Sequence, residues 1–161
     1  MSSSPQTANA VNCRETWPAV LRETTVEVFS TMVGATVTTP DKSGVPVVEQ
    51  VTGMVGIAGP LSATVSLRCS LQSATTIASQ MLGVPLEEAA AQKCDAIGEI
   101  CNIVAGYFKA KVGLGDLCML SVPTVLAGTD YQIRTRDGDV RIELPVLHEG
   151  APVWIALDIR P

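Results

Sequence analysis

The chain has 161 residues, 16 acidic against 11 basic, for a net charge of −5, with 47% hydrophobic but only 4% aromatic side chains. That length fits one domain whose core of small aliphatic residues needs no metal or disulfide staple, and the acidic balance without a Lys/Arg cluster excludes the usual nucleic-acid binders. No run approaches the roughly 18 uninterrupted apolar residues of a membrane span, and the opening Met1-Ser2-Ser3-Ser4-Pro5 lacks the basic and apolar regions of a signal peptide, so the expectation is a cytoplasmic protein with no membrane partner.

Residues 1–12 are rich in Ser, Pro, Gln and Asn and are expected to be a disordered tail, leaving 13–161 as a single domain. Thr16-Trp17-Pro18 offers a helix start with proline in the first turn, and Trp17, Leu21, Val28 and Met32 keep helical spacing up to Gly34. Residues 36–44 read as an extended segment ending in a turn. Residues 47–58 alternate loosely, Gly59-Pro60 turns the chain, and residues 61–69 alternate strictly, with Leu61, Ala63, Val65, Leu67 and Cys69 inward: a hairpin with one wet face. A short helix over 73–82 closes at Gly83. The acidic turn Leu86-Glu87-Glu88 is then expected to open a helix running to Val112, stopped by Gly113 and Gly115.

Beyond it, residues 118–125 read as a strand. Asp137-Gly138 is expected to join residues 131–136 to 139–146 as a two-residue hairpin, and Glu149-Gly150 makes a second hairpin into a strand with Val153, Ile155, Leu157 and Ile159 on one face. The predicted architecture is α+β in two layers, an antiparallel sheet of about five or six strands backed by three α-helices. Cysteines 13, 69, 94, 101 and 118 are odd in number and widely spaced, unlike a zinc site or a disulfide framework, and read as reduced core residues. The single histidine, His148, has no second ligand type at useful spacing, so neither a metal nor a cofactor nor a histidine-based triad is expected in this chain.

The most informative stretch is Asp95-Ala96-Ile97-Gly98-Glu99-Ile100-Cys101-Asn102-Ile103-Val104-Ala105-Gly106. At helical pitch, positions 95, 99, 102 and 106 fall within roughly 60° of one another. Two carboxylates, a carboxamide and a bare turn thus form a polar row that another protein's backbone can approach closely. Ile97, Ile100, Cys101, Val104, Tyr107 and Phe108 make the opposite, core-directed face. A polar row opposite an apolar stripe is more often a solvated face than a site, although a surface position under no other demand tends to carry Glu, Lys or Ala rather than Asn.

With Asp95-x-x-x-Glu99-x-x-Asn102, the leading helix at 26–34, Ser121-Val122-Pro123-Thr124-Val125 and the closing strand pair, the chain resembles the CheX-like chemotaxis phosphatases. These are relatives of CheC and FliY that dephosphorylate the response regulator CheY. CheC-type members carry two such motifs. Here the first helix has none, since Glu15 is followed by Pro18 and Glu23 by Val26, which points to the single-motif, CheX-like branch.

The resemblance implies a phosphatase acting on the phospho-aspartate of a CheY-like receiver domain. Asn102 would orient the attacking water and Glu99 would pair with the receiver's lysine, while Asp95, Gly98 and Gly106 would belong to the docking surface. It also implies that Mg2+ sits on the partner receiver and that the chain forms a homodimer, which would cover Val- and Ile-rich edge strands. Two other readings remain open: a non-catalytic adaptor of the same fold that binds a receiver or a flagellar-switch-like partner, and a small-molecule binding domain, for which no Gly-rich phosphate loop is present.

Overall fold

The period-two segments form a six-stranded antiparallel sheet, and the period-3.6 segments form a helical layer on one of its faces, as the sequence suggests. The computed structural model describes residues 14–40, 49–129 and 131–161. The expected N-terminal tail and the turn at Asp41-Lys42-Ser43-Gly44 therefore lie outside the described residues. The strands are β1 (Glu49–Ala58), β2 (Ala63–Ser70), β3 (Met119–Leu120), β4 (Thr124–Thr129), β5 (Val140–His148) and β6 (Ala151–Ile159). Their order is β3-β1-β2-β6-β5, with β4 also paired to β1. The helices are α1 (Trp17–Val28), α2 (Leu71–Leu82) and α3 (Lys93–Lys111). Among the described residues no helix is long and apolar enough to cross a membrane.

Side-chain alternation fixes which sheet face meets the helices. Val51 and Val55 of β1, Val65 and Leu67 of β2 and Val153, Ile155 and Leu157 of β6 are all buried in one cluster with Ile97, Ile100 and Cys101 of α3. Shifting any of these strands by one residue would turn its apolar set to solvent. Each fully buried aliphatic side chain contributes about 1.5–3 kcal/mol. Helix α1 begins where Pro18 allows and runs on into a π-turn at Phe29–Val33 that Gly34 closes in the left-handed conformation, φ 72°. Its Trp17 ring meets Phe108 of α3 edge-on, with centroids 5.6 Å apart. Helix α2 starts two residues earlier than expected because Ser70 caps it, its hydroxyl accepting from the Ser73 amide at 3.0 Å.

Three elements differ from expectation. The motif helix begins at Lys93; Leu86–Ala89 is a separate helical turn and Ala90–Gln92 a 3-10 turn, because Gln92, at φ −103° and ψ 1°, breaks the α-helical run. The expected strand over 118–125 is two short strands in the same lane beside β1. They are separated at Ser121-Val122-Pro123, where proline has no amide to give the ladder. Residues 131–136 form no strand, although the turn at Asp137-Gly138 is present, with the Asp139 amide donating to the Arg136 carbonyl at 3.1 Å. Tyr131 is instead held over the outer sheet face by a 2.8 Å hydrogen bond between its hydroxyl and that of Thr52. The Glu149-Gly150 hairpin forms as expected, with φ of 50° and 76°.

His148 sits at the end of β5, 1% exposed, with Nε2 2.8 Å from Gln80 Oε1 and its ring 5.7 Å from that of Phe29. Burial lowers its pKa, and the neighbouring Glu149 charge opposes the shift in part. Below about pH 6.5 the unfolded chain takes up a proton that the native histidine resists, so the stability His148 contributes is present above that pH and is lost as pH falls towards the lowered native value. Urea midpoints measured from pH 7.5 down to 5 should fall more steeply for the wild type than for His148→Gln. Parallel profiles would contradict this assignment.

Candidate functional site

Helix α3 lies across β1 and touches β2, β4, α1 and α2, so its backbone is held on every side but one. Gly53 of β1 brings it close: a Cβ there would lie 3.2 Å from Ile97 Cγ2 and 3.3 Å from the Ile97 carbonyl oxygen. On the free side, Asp95 and Glu99 are exposed and Asn102 and Gly106 half-buried, the row that helical spacing predicts. Tyr107 departs from the expected core face and is 41% exposed, since at this end of α3 the contact with α1 is made by Phe108.

None of the side chains of Asp95, Glu99 and Asn102 makes a hydrogen bond or ion pair with another described residue. Asp95 and Glu99 are like charges at i,i+4, which costs a helix about 0.2–0.5 kcal/mol, and Asn in a helix interior costs several tenths more than Ala. A position that breaks local helix rules with no compensating contact is where function is to be sought. Their carboxylate and carboxamide groups stand free to meet an incoming partner on a helix packed against the sheet and both other helices.

Beside the row runs a shallow groove lined by Cys94, Asp95, Gly98, Glu99, Pro123 and Val125. Gly98 is itself buried. A Cβ there would stand 3.1 Å from Val125 Cγ2 and 3.5 Å from Pro123 Cβ, so the room it leaves is occupied by this chain's own β4 lane and its effect on any docking is indirect. Gly106 is less constrained, the nearest atom to such a Cβ being Leu120 Cδ1 at 3.8 Å. Helical spacing could place Asp95, Glu99 and Asn102 together, but not Pro123 and Val125, which reach the groove through the pairing of β4 with β1. The glycine at 98 was the only local hint that another segment comes close.

The cysteines divide in the same way. Cys69 and Cys101 are buried and their thiols pushed up to about 12 by desolvation, Cys118 is buried, and Cys94 is half-buried at the groove wall. A thiol that stays protonated is inert. Maleimide treatment of the native protein at pH 7.5 should therefore label Cys94 alone among these four, with the others reacting only after unfolding. Native labelling of Cys69 or Cys101 would contradict the packing described.

The α+β fold is shared with solved chemotaxis proteins. The chain aligns with CheX from Desulfovibrio desulfuricans at TM-score 0.74 and 21% identity, covering 89% of this chain and 99% of that one. It aligns with CheX in a CheX–CheY–BeF3–Mg2+ complex from Borrelia burgdorferi at 0.71 and 18%, covering 89% and 97%. FliY from Thermotoga maritima aligns at 0.61 and 19%, covering 99% and 92%. Comparison with the curated proteins gave no match. The family described as chemotaxis phosphatase CheX matches residues 51–147, more than half of the sequence, and the chain belongs to that family.

Proposed function

We propose that this chain accelerates hydrolysis of the phospho-aspartate of a CheY-type receiver domain, with Asn102 orienting the attacking water and Glu99 pairing with a receiver lysine. The observation that carries the reading is the free Glu99–Asn102 pair on the solvent side of a clamped helix, in a chain of the CheX family. In support, the Borrelia burgdorferi relative is known in complex with CheY, BeF3 and Mg2+. Beryllofluoride stands in for a phosphoryl group.

The division of labour follows from chemistry. The receiver's Mg2+ and lysine neutralise the developing phosphoryl charge, so the phosphatase supplies a positioned water and little else. Asn102 suits that task because a carboxamide can accept from the water and donate to a phosphoryl oxygen without adding negative charge. A carboxylate there would repel the anion. Glu99, one turn before it, reaches the cationic edge of the receiver site, and the resulting pair sets register and orientation. Asp95 extends the same acidic edge. Val122, 84% exposed next to Pro123 of the groove wall, adds apolar surface of the kind that protein partners cover.

State-selective binding tests the partner. A labelled CheY-type receiver titrated with this chain should bind at least about tenfold tighter with beryllofluoride and Mg2+ than without. Equal affinity for the two receiver states would overturn the proposal.

A further inference from the structure

The outer face of the sheet, away from α3, carries a second and independent feature. Thr52, Arg68 and Trp154 stand opposite one another across β1, β2 and β6, and in the next row Ser66 stands opposite Ala156. The small Ser66 and Ala156, beside the large Arg68 and Trp154, leave a hollow. Segment 131–134 passes over it, held by the Thr52–Tyr131 hydroxyl bond, by Gln50 Nε2 donating to the Tyr131 carbonyl at 3.3 Å, and by the Tyr131 hydroxyl donating to the Leu126 carbonyl at 3.4 Å. The result is a cavity of about 220 Å³. Its burial is visible in Ala156, which points to the face expected to be wet yet is 2% exposed, and in Thr52, also 2% exposed.

Among the described residues three arginines line this cavity, Arg68, Arg134 and Arg141, and no carboxylate does. Arg141 is neutralised from outside: its Nη1 donates to both Asp158 oxygens at 3.1 Å and its Nε to Glu143 at 3.0 Å. Arg68 and Arg134 have no acidic partner among the described residues. Arg68 lies 5.8 Å over the Trp154 ring, and Arg134 donates only to Gln132 Oε1, at 3.4 Å. In a chain of net charge −5, two guanidinium groups at one concavity, neither with an acidic partner among the described residues, run against the average surface. Their planar forks match carboxylate and phosphate oxygens, and the indole and phenol rings beside them offer an apolar wall.

We propose that this cavity binds a small organic anion, one carrying a carboxylate or phosphate group. Its volume is under the usual range for drug-sized ligands, which points to a small ligand. Arg68 and Arg134 hold the anionic group, and Trp154 and Tyr131 face the organic body. Nothing in this assignment depends on the receiver phosphatase reading.

Tryptophan fluorescence tests it directly, because Trp17 is buried in the helical layer and Trp154 lines the cavity. The intact chain is titrated in low salt with inorganic phosphate, citrate and adenosine monophosphate in turn, which separates a bare oxyanion from a polycarboxylate and from a ring-bearing phosphate. At least one probe should give a saturable change with sub-millimolar affinity. That affinity should weaken about tenfold or more in Arg134→Gln and in Arg68→Gln, and stay unchanged in Arg136→Gln, which lies outside the cavity. Arg134 is exposed, so its variant tests the site even if Arg68→Gln perturbs packing. No saturable change with any probe up to about 10 mM, or equal affinity in the wild type and Arg134→Gln, would overturn the proposal.

Discussion

Asn102→Ala should leave binding of a beryllofluoride-activated receiver within about threefold while lowering the accelerated dephosphorylation rate by about 100-fold or more. The asymmetry comes from what the side chain touches. In the free protein Asn102 is half-buried on α3 and its side chain makes no hydrogen bond to any described residue, so its removal leaves no orphaned group and the helix gains propensity. What is lost, in the proposed mechanism, is the group that orients the attacking water. Glu99→Ala should show the other pattern, weakening receiver binding by about 2 kcal/mol, because loss of the proposed pairing would leave a receiver lysine desolvated and unpaired. An adaptor that only docks would lose nothing on Asn102→Ala, and equal losses of binding in both variants would mean that the row serves affinity alone.

Gly59→Ala should destabilise the fold by about 3–4 kcal/mol, the largest effect expected of any single methyl group added here. Gly59 ends β1 at φ 143°, a region that side-chain-bearing residues avoid. A Cβ would also stand 2.6 Å from the Leu117 carbonyl oxygen and 3.1 Å from the Cys118 Cα, both backbone atoms that cannot swing aside. Leu117 and Cys118 lead directly into β3, so relief of the clash would pull the β3 lane from β1. Against a total of about 5–15 kcal/mol, that loss lowers the melting temperature by about 10 °C. Gly83→Ala is the control: its φ is 65° but nothing lies within 4 Å, so only backbone strain applies and the cost should be smaller. Equal urea midpoints for the two variants would show that the close approach at Leu117 carries no weight.

Most of the architecture was legible because each element obeys a local rule. Strict alternation over residues 61–69 gave β2 its inner face, Gly34 closed the π-turn that extends α1, Gly83 ended α2, and Glu149-Gly150 turned β5 into β6. The misjudged elements were decided by partners distant in sequence. Residues 131–136 look like a strand beside Asp137-Gly138, yet Tyr131 is drawn onto the outer sheet face by Thr52 and Gln50 from the other end of the chain. Nothing local to 118–125 shows that Ser121 bonds to Gly56 and divides the lane in two.

The polar row was readable for the same reason as α2, since 95, 99 and 102 sit on one helix. The arginine-lined cavity was not, because its residues come from five separate segments that only the β1-β2-β6-β5 register brings together. A search for a Gly-rich phosphate loop could not have found it.

The central claim, that the free row of α3 drives hydrolysis, is tested most directly by the decay rate of a phosphorylated CheY-type receiver in excess over this chain. Decay should speed up in proportion to added chain, each molecule turning over many receivers, and the acceleration should vanish with Asn102→Ala. Unchanged decay at concentrations where the activated receiver is bound would contradict it.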